Sequence, residues 1–301
     1  MALSAAVLPA RPSLRSRIAA YVALTKPRII ELLLITTLPT MILAQRGLPP
    51  IGLMAATLAG GALAAGGANA INMFIDRDID KLMHRTAKRP LVTGAVTPRN
   101  ALVFAIALEV AAFAELWWLV NLLSAVLAVS ATLFYVFVYT LWLKRTSSQN
   151  IVIGGAAGAV PVLVGWAAVT NSLSWTPVVL FAVIFVWTPP HFWALAVKYK
   201  DDYQAADVPM LPAVASFRRT ATEILVYSVV LVAVTLVLAP VARLGAIYVV
   251  SAAVLGVVFI ALAVRLWRRA TPKAAMQLFQ YSITYLTLLF VMMAVDIFTK
   301  H

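Results

Sequence analysis

The run TEILVYSVVLVAVTLVLAPV, residues 222–241, holds a single acid and no base. A hydrocarbon layer ~30 Å thick takes a helix of about 20 apolar residues to cross. Lipid offers backbone N–H and C=O groups no partner, so a run like this folds as helix. Eight further stretches of the same kind follow one another along the chain, at roughly 28–46, 51–75, 99–118, 120–143, 149–170, 173–197, 245–265 and 276–298. The pattern predicts an all-α polytopic membrane protein, a bundle of nine transmembrane helices. Charge content agrees: 12% of the 301 residues are charged, against about 25% in soluble domains. Cysteine is absent, which excludes a disulfide framework and a thiolate metal site.

The net charge of +13 reads as topology and calls for no nucleic-acid partner. With the N-terminus in the cytoplasm, every one of the 24 Lys and Arg residues except Arg46, Arg243 and Lys300 falls on that side. This is the positive-inside arrangement, with the N-terminus in and the C-terminus out. Residues 1–27 read as a cytoplasmic tail, without a clear cleavage site, that turns interfacial at Ile18 to Leu24. Residues 28–298 read as one transmembrane domain with cytoplasmic loops at 76–98 and 198–221. The tail is short for organelle import, so a bacterial inner membrane is the expected location. Matching offsets between Asp80 and Asp201 and between Lys144 and Arg265 predict a 4+4 pseudo-repeat. It would set the two loops side by side over a central cavity and leave the ninth helix at the edge.

Those loops carry Asp76, Asp78, Asp80, Asp201, Asp202 and Asp207, which positive-inside topology does not require. Asn72, Asp76 and Asp80 are four residues apart, so on a helix they share one face, with Asp78 turned away. Two carboxylates and an amide oxygen suit Mg²⁺, which takes few protein ligands and fills its shell with water and substrate phosphates. Lys81, His84, Arg85, Lys88 and Arg89 follow at once, the cations a metal-bridged diphosphate needs. The plainer reading is a solvated helix end whose acids and bases pair among themselves.

In the second loop region, Pro189 and Pro190 predict a kink or break in the sixth span. His191 follows directly, an ionisable group inside a span and so a functional candidate, or else a packed ring bonded to a carbonyl the prolines free. Asp201 or Asp202 is a candidate second metal ligand, with Lys200 beside it as a phosphate contact. Lys144 and Arg145 read as anion contacts or as membrane anchors. Gly154, Gly155 and Gly158 permit close helix packing, or room for a flat ligand. Tyr135, Tyr139 and Trp142 form a stripe one turn apart, core or a π wall for a cation.

The spacing NxxxDxxxD at Asn72, Asp76 and Asp80 resembles the first motif of the UbiA-type intramembrane prenyltransferases. Five stretches are similar to the haem-modifying branch, the protohaem IX farnesyltransferases: LTKPRI (24–29), DRDIDxxMxRTxxRP (76–90), LKRTSSQNIVIGGAAGAVP (143–161), WTPPHFWALA (187–196) and DYxxAxxPMLP (202–212). The similarity runs from about residue 18 to 298. The chain departs from many relatives in lacking a second DxxxD, since Asp201, Asp202 and Asp207 have no four-residue spacing.

The resemblance implies farnesyl transfer from farnesyl diphosphate to a vinyl group of haem b, with water added, at a site near the cytoplasmic face. It further implies Mg²⁺ on Asn72, Asp76 and Asp80, with Asp202 as a further ligand. Asp76, Asp80 and Arg85 would be catalytic, and Lys88, Arg89, Lys144, Tyr139, His191 and Lys200 would contact substrate. Haem A synthase or a terminal oxidase would be the assembly partner. The alternatives are a related enzyme with an aromatic or quinone-precursor acceptor, a transporter and a non-catalytic haem scaffold. The WTPPHFWALA stretch speaks against the aromatic acceptor. Aspartates at helix ends beside basic clusters, away from mid-membrane, speak against the transporter.

Overall fold

The computed structural model describes residues 13–299, without the side chains of 29 and 31–34. The expected tail up to residue 12, with Arg11, and Lys300 lie outside the described residues. Ten principal helices follow in order: α1 (Leu14–Thr25), α2 (Pro27–Gln45), α3 (Ile51–Ile75), α4 (Pro98–Leu119), α5 (Leu122–Thr146), α6 (Asn150–Thr170), α7 (Trp175–Lys198), α8 (Phe217–Val241), α9 (Ala246–Arg269) and α10 (Pro272–Thr299). No strand occurs among the described residues. Eight of the helices, α3 to α10, are long and apolar enough to cross a membrane. The first expected span, α2, is 19 residues long, about 28 Å at 1.5 Å per residue.

Local chemistry sets the ends. Ser13, Thr97, Asn121 and Ser216 each cap a helix by accepting the N–H three residues on, as short oxygen-bearing side chains do. Lys26, in the left-handed conformation, separates α1 from α2 at a φ of 53°. Leu14, Ile18 and Val22 are exposed at one-turn intervals along α1, while Ala20 and Leu24 are buried. The helix starts at Leu14, four residues before the expected interfacial start at Ile18.

The helices are packed as a ring. The tight α3–α4 pair depends on glycine: a Cβ on Gly60 would overlap Glu115, and one on Gly67 would stand 2.6 Å from Glu109 Oε1. Small residues let membrane helices approach closely. The α6 to α10 half holds the largest core, with Trp193, Tyr248, Phe259, Tyr285 and Phe290 fully buried. Asp296 near the end of α10 accepts the N–H groups of Gly245 (2.5 Å) and Tyr248 (3.2 Å), capping α9 from another helix.

Three expectations about elements need correction. Helix α7 is not broken by Pro189 and Pro190; it runs from Trp175 to Lys198. Trp187 Nε1 donates to the Ser282 carbonyl (2.8 Å) and His191 Nδ1 meets Ser282 Oγ (2.7 Å), so α10 braces α7 on both sides of the prolines. Helix α10, expected at the edge, packs on α9, α7 and also α2, and so closes the ring. The aromatic stripe does not hold at one turn per residue pair, because Phe134–Leu143 is wound as π-helix. Tyr135 and Tyr139 stack at 5.4 Å and 13°. Trp142 is instead 61% exposed, because the wider π turn carries it to the lipid-facing side.

Candidate active site

The last turns of α3 deliver Asn69 and Asn72, and Asp76 caps the helix. The helical frame continues past the cap, since Asp76 N–H bonds Asn72 C=O and Asp80 N–H bonds Asp76 C=O, both at 2.9 Å. Asn72, Asp76 and Asp80 are therefore all inward, each at most 3% exposed. Asp78 sits at the rim, gripped by both Arg145 nitrogens at 2.7 Å. That hydrogen-bonded guanidinium holds the Asp78 carboxyl well below the usual range.

Cations from three parts of the chain, the α1–α2 junction, the first loop and the end of α5, surround the cluster. Lys144 Nζ contacts Asp76 Oδ2, and Arg89 Nη1 lies 2.6 Å from Asp80 Oδ2. Arg145 Nη2 stands 3.8 Å from Asp76 Oδ1. Asn72 Nδ2 donates to Asp76 Oδ2 (2.8 Å) and to Thr140 Oγ1 (3.1 Å), while Asn72 Oδ1 accepts from Lys26 Nζ (2.9 Å). The π segment of α5 supplies Thr140, and Lys144 directly follows it. Burial, then the charges of Arg89 and Lys144, push the Lys26 ammonium down to about 7. Asp76 Oδ1 is buried and has no hydrogen-bond partner.

The second loop meets the first through Asp202. Its carboxylate accepts the N–H groups of His84 (3.3 Å) and Arg85 (3.1 Å) and pairs with His84 Nδ1 (3.1 Å). Burial works against its charge, but those donors outweigh it and hold the carboxyl below its ordinary value. In this structure the Asp202 oxygens therefore meet the turn at 84–85. Among the described residues no three carboxylate, imidazole or thiol groups converge to hold a metal. The oxygen cluster is two carboxylates and one amide. Asp201 and Asp207 are exposed.

The remaining candidates divide. Arg85 lies over the rings of Tyr199 (5.3 Å) and Tyr203 (5.9 Å) beside the cluster. Lys88 and Lys200 are on the exposed loop surface. Tyr139 packs on Gly154, where a Cβ would overlap its ring. His191 stacks on Trp187 at 4.1 Å within α7. Ser282 Oγ also lies 2.6 Å from the Phe279 carbonyl, to which its one proton must go. The Ser282 contact with His191 is then an Nδ1–H donation, which leaves the lone pair on Nε2.

Sequence reasoning gave no role to Lys26, Thr140 or Tyr203. Lys26 stands inside the quoted LTKPRI stretch, which was the available signal. Thr140 and Tyr203 gave none, since nothing in an apolar run marks which hydroxyl faces inward.

Residues 33–291 match the UbiA prenyltransferase family. The chain belongs to that family. A protoheme IX farnesyltransferase of Paenarthrobacter aurescens is 54% identical over 297 residues, covering 96% of this chain and 93% of that one. A protoheme IX farnesyltransferase 1 of Saccharopolyspora erythraea is 56% identical, covering 97% and 94%. Among solved structures, one from work on digeranylgeranylglyceryl phosphate synthase aligns with a TM-score of 0.76 at 16% identity, covering 94% of this chain and 99% of that one. A UbiA homologue from Archaeoglobus fulgidus bound to DMAPP and Mg²⁺ aligns at 0.63 and 17% identity, covering 90% and 99%. At such identities the structures establish the UbiA fold for this prenyltransferase.

Proposed function

We propose that this UbiA prenyltransferase transfers farnesyl from farnesyl diphosphate to a vinyl group of haem b, with addition of water, giving haem O and diphosphate. The observation that carries the reading is identity above 50%, over nearly the whole chain, to relatives named protoheme IX farnesyltransferase.

The donor set fits a hard divalent cation, Mg²⁺. The ligands are oxygens, and the buried Asp76 Oδ1 has no hydrogen-bond partner in the protein. Asn72, Asp76 and Asp80 would hold the ion, with Lys26 releasing the Asn72 amide oxygen. The bound ion supplies Lewis-acid polarisation of the diphosphate leaving group. Asp202 is proposed as a positioning residue for Arg85.

Lys26, Arg85, Arg89 and Lys144 take up the negative charge that gathers on the diphosphate, where fixed cations act most strongly. Exposed Lys88 and Lys200 draw the anion to the mouth. The farnesyl C1–O bond breaks with its pair going to the phosphate oxygen. The vinyl π pair forms the new carbon–carbon bond at C1. Water then closes on the haem-side carbon and loses its proton to solvent. No base is needed to activate the vinyl group, so the site's wealth of cations over free carboxylates suits this acceptor. Tyr135 and Tyr139 offer π faces toward positive charge. His191, with its lone pair on Nε2, is the candidate to meet the porphyrin.

The site opens on the side of the basic loops, the cytoplasmic side of a bacterial inner membrane in this proposal. A haem A synthase or terminal oxidase would receive the product. The test is product analysis by mass spectrometry on purified enzyme given haem b, farnesyl diphosphate and Mg²⁺. Haem O is expected from the wild type, with Asp76→Ala slower by roughly 10²–10³-fold and EDTA abolishing turnover. Prenylation of 4-hydroxybenzoate in place of haem b would transfer the reading to an aromatic acceptor.

A further inference from the structure

The end of α9 on the side of the Asp76 loops carries Arg265, Arg268 and Arg269 around an open cleft of about 260 Å³, floored by Ala261 and Val264. None of the three forms an ion pair among the described residues. Helix α9 contains no Asp or Glu, and neither does the chain from 270 to 295. Arg265 Nε is buried and has no hydrogen-bond partner. A buried guanidinium N–H left bare costs free energy that an incoming anion recovers.

The same face of α9 runs apolar toward the bilayer centre. Val250, Val254 and Val257 are exposed at 61%, 58% and 67%, and Ala261 continues the line at one-turn spacing to Arg265. The helix is 24 residues long, about 36 Å, so its last turn emerges from a ~30 Å hydrocarbon layer at headgroup depth. Arg218 adds a further charge from the start of α8, its guanidinium 3.8 Å above the Trp267 ring, and Trp267 Nε1 is tied to Thr222 Oγ1 (3.1 Å). An apolar stripe leading to a fork of unneutralised guanidiniums matches one molecule: a phosphate on two acyl chains.

We propose that the Arg265–Arg268–Arg269 cleft is a binding site for one anionic phospholipid of the surrounding bilayer. The phosphate sits between the guanidiniums, which grip it bidentately, and an acyl chain lies along Val254, Val257 and Ala261. Ordinary membrane anchoring by basic residues needs only diffuse charge, and it distinguishes neither one headgroup position nor Arg from Lys. The site does both.

The test is native mass spectrometry of the full chain, purified in detergent and supplied with phosphatidylglycerol or with phosphatidylcholine of identical acyl chains. One retained phosphatidylglycerol per chain is expected, with no fixed stoichiometry for phosphatidylcholine. Inorganic phosphate in excess should not displace it, because the acyl contact is part of the site. Retention should fall at least about tenfold in Arg265→Gln/Arg268→Gln/Arg269→Gln. Arg265→Lys, which preserves charge and loses the fork, should lie between. Arg15→Gln/Arg17→Gln, removing cations on α1, should bind as the wild type. Equal retention by the triple variant, equal retention of phosphatidylcholine, or loss in the α1 variant to the same extent would each overturn the proposal. If the triple variant does not fold, Arg265→Lys against the α1 control decides it alone.

Discussion

At Asp76 the two carboxylate oxygens live in different surroundings. Oδ2 takes Lys144 and the Asn72 amide, while Oδ1 is buried with only Arg145 at 3.8 Å. A carboxylate so divided is held in place by one oxygen and left able to bind with the other. Asp76→Asn should preserve the fold and lose most turnover, since the amide oxygen can still accept from Lys144 but brings no negative charge to a hard cation; thermal unfolding and haem O formation read the two separately. Asp202 makes the opposite forecast. As a peg for the 84–85 turn, its loss removes the acceptor of the His84 and Arg85 N–H groups and so loosens that turn. Asp202→Ala should raise KM for farnesyl diphosphate and speed hydrogen exchange at 84–89, while the concentration of Mg²⁺ giving half-maximal rate stays as in the wild type. A shift in that concentration would restore Asp202 as a ligand.

At the scale of elements, the close α3–α4 contact and the tie between the first loop and α5 are the sensitive points. Gly67→Ala would force a methyl into Glu109 and the Ala105 carbonyl, and overpacking of this kind costs typically 1–3 kcal/mol. A lower melting temperature in detergent is expected, with kcat less affected than yield. The Asp78–Arg145 pair ties the first loop to the end of α5. Its carboxyl is depressed in the folded protein, so its stabilisation is fully present above the unfolded value of about 3.9. That contribution is lost as pH falls through the lower folded value. Asp78→Asn should therefore melt earlier than wild type at pH 7, with the difference vanishing only in strong acid. The pair is solvent-exposed on the aspartate side, so the shift should be small.

For the whole molecule, the ring closed by α2 and α10 puts both acidic loops, the start of α6 and the ends of α5 and α9 at one end. Absence of cysteine makes this directly measurable, because a single introduced thiol reports its own side. Ser172→Cys in the α6–α7 connection should react with an impermeant maleimide in intact cells. Lys273→Cys at the start of α10 should react only after lysis. The reverse result would invert the orientation and place the site outside.

How much of this was legible along the chain depends on the range of the physics involved. Helix positions depend on hydrocarbon thickness and on local apolar length, so the nine stretches lie within a few residues of α2 to α10. The Asn72–Asp76–Asp80 face depends on a four-residue repeat and survives the end of α3, because backbone bonding continues through Asp76. The partners of those residues do not follow from spacing. Lys26 and Lys144 reach the cluster from helices distant in sequence, Asp202 is drawn off by two backbone N–H groups, and α10 braces the prolines of α7. The π winding that turns Trp142 outward also left no mark in the apolar run. Lipid rewards any long apolar segment alike, so length and hydropathy decide that helices form. Which side chains meet across the ring is decided only when buried charges and hydrogen-bond donors must find partners, and that occurs in the packed structure.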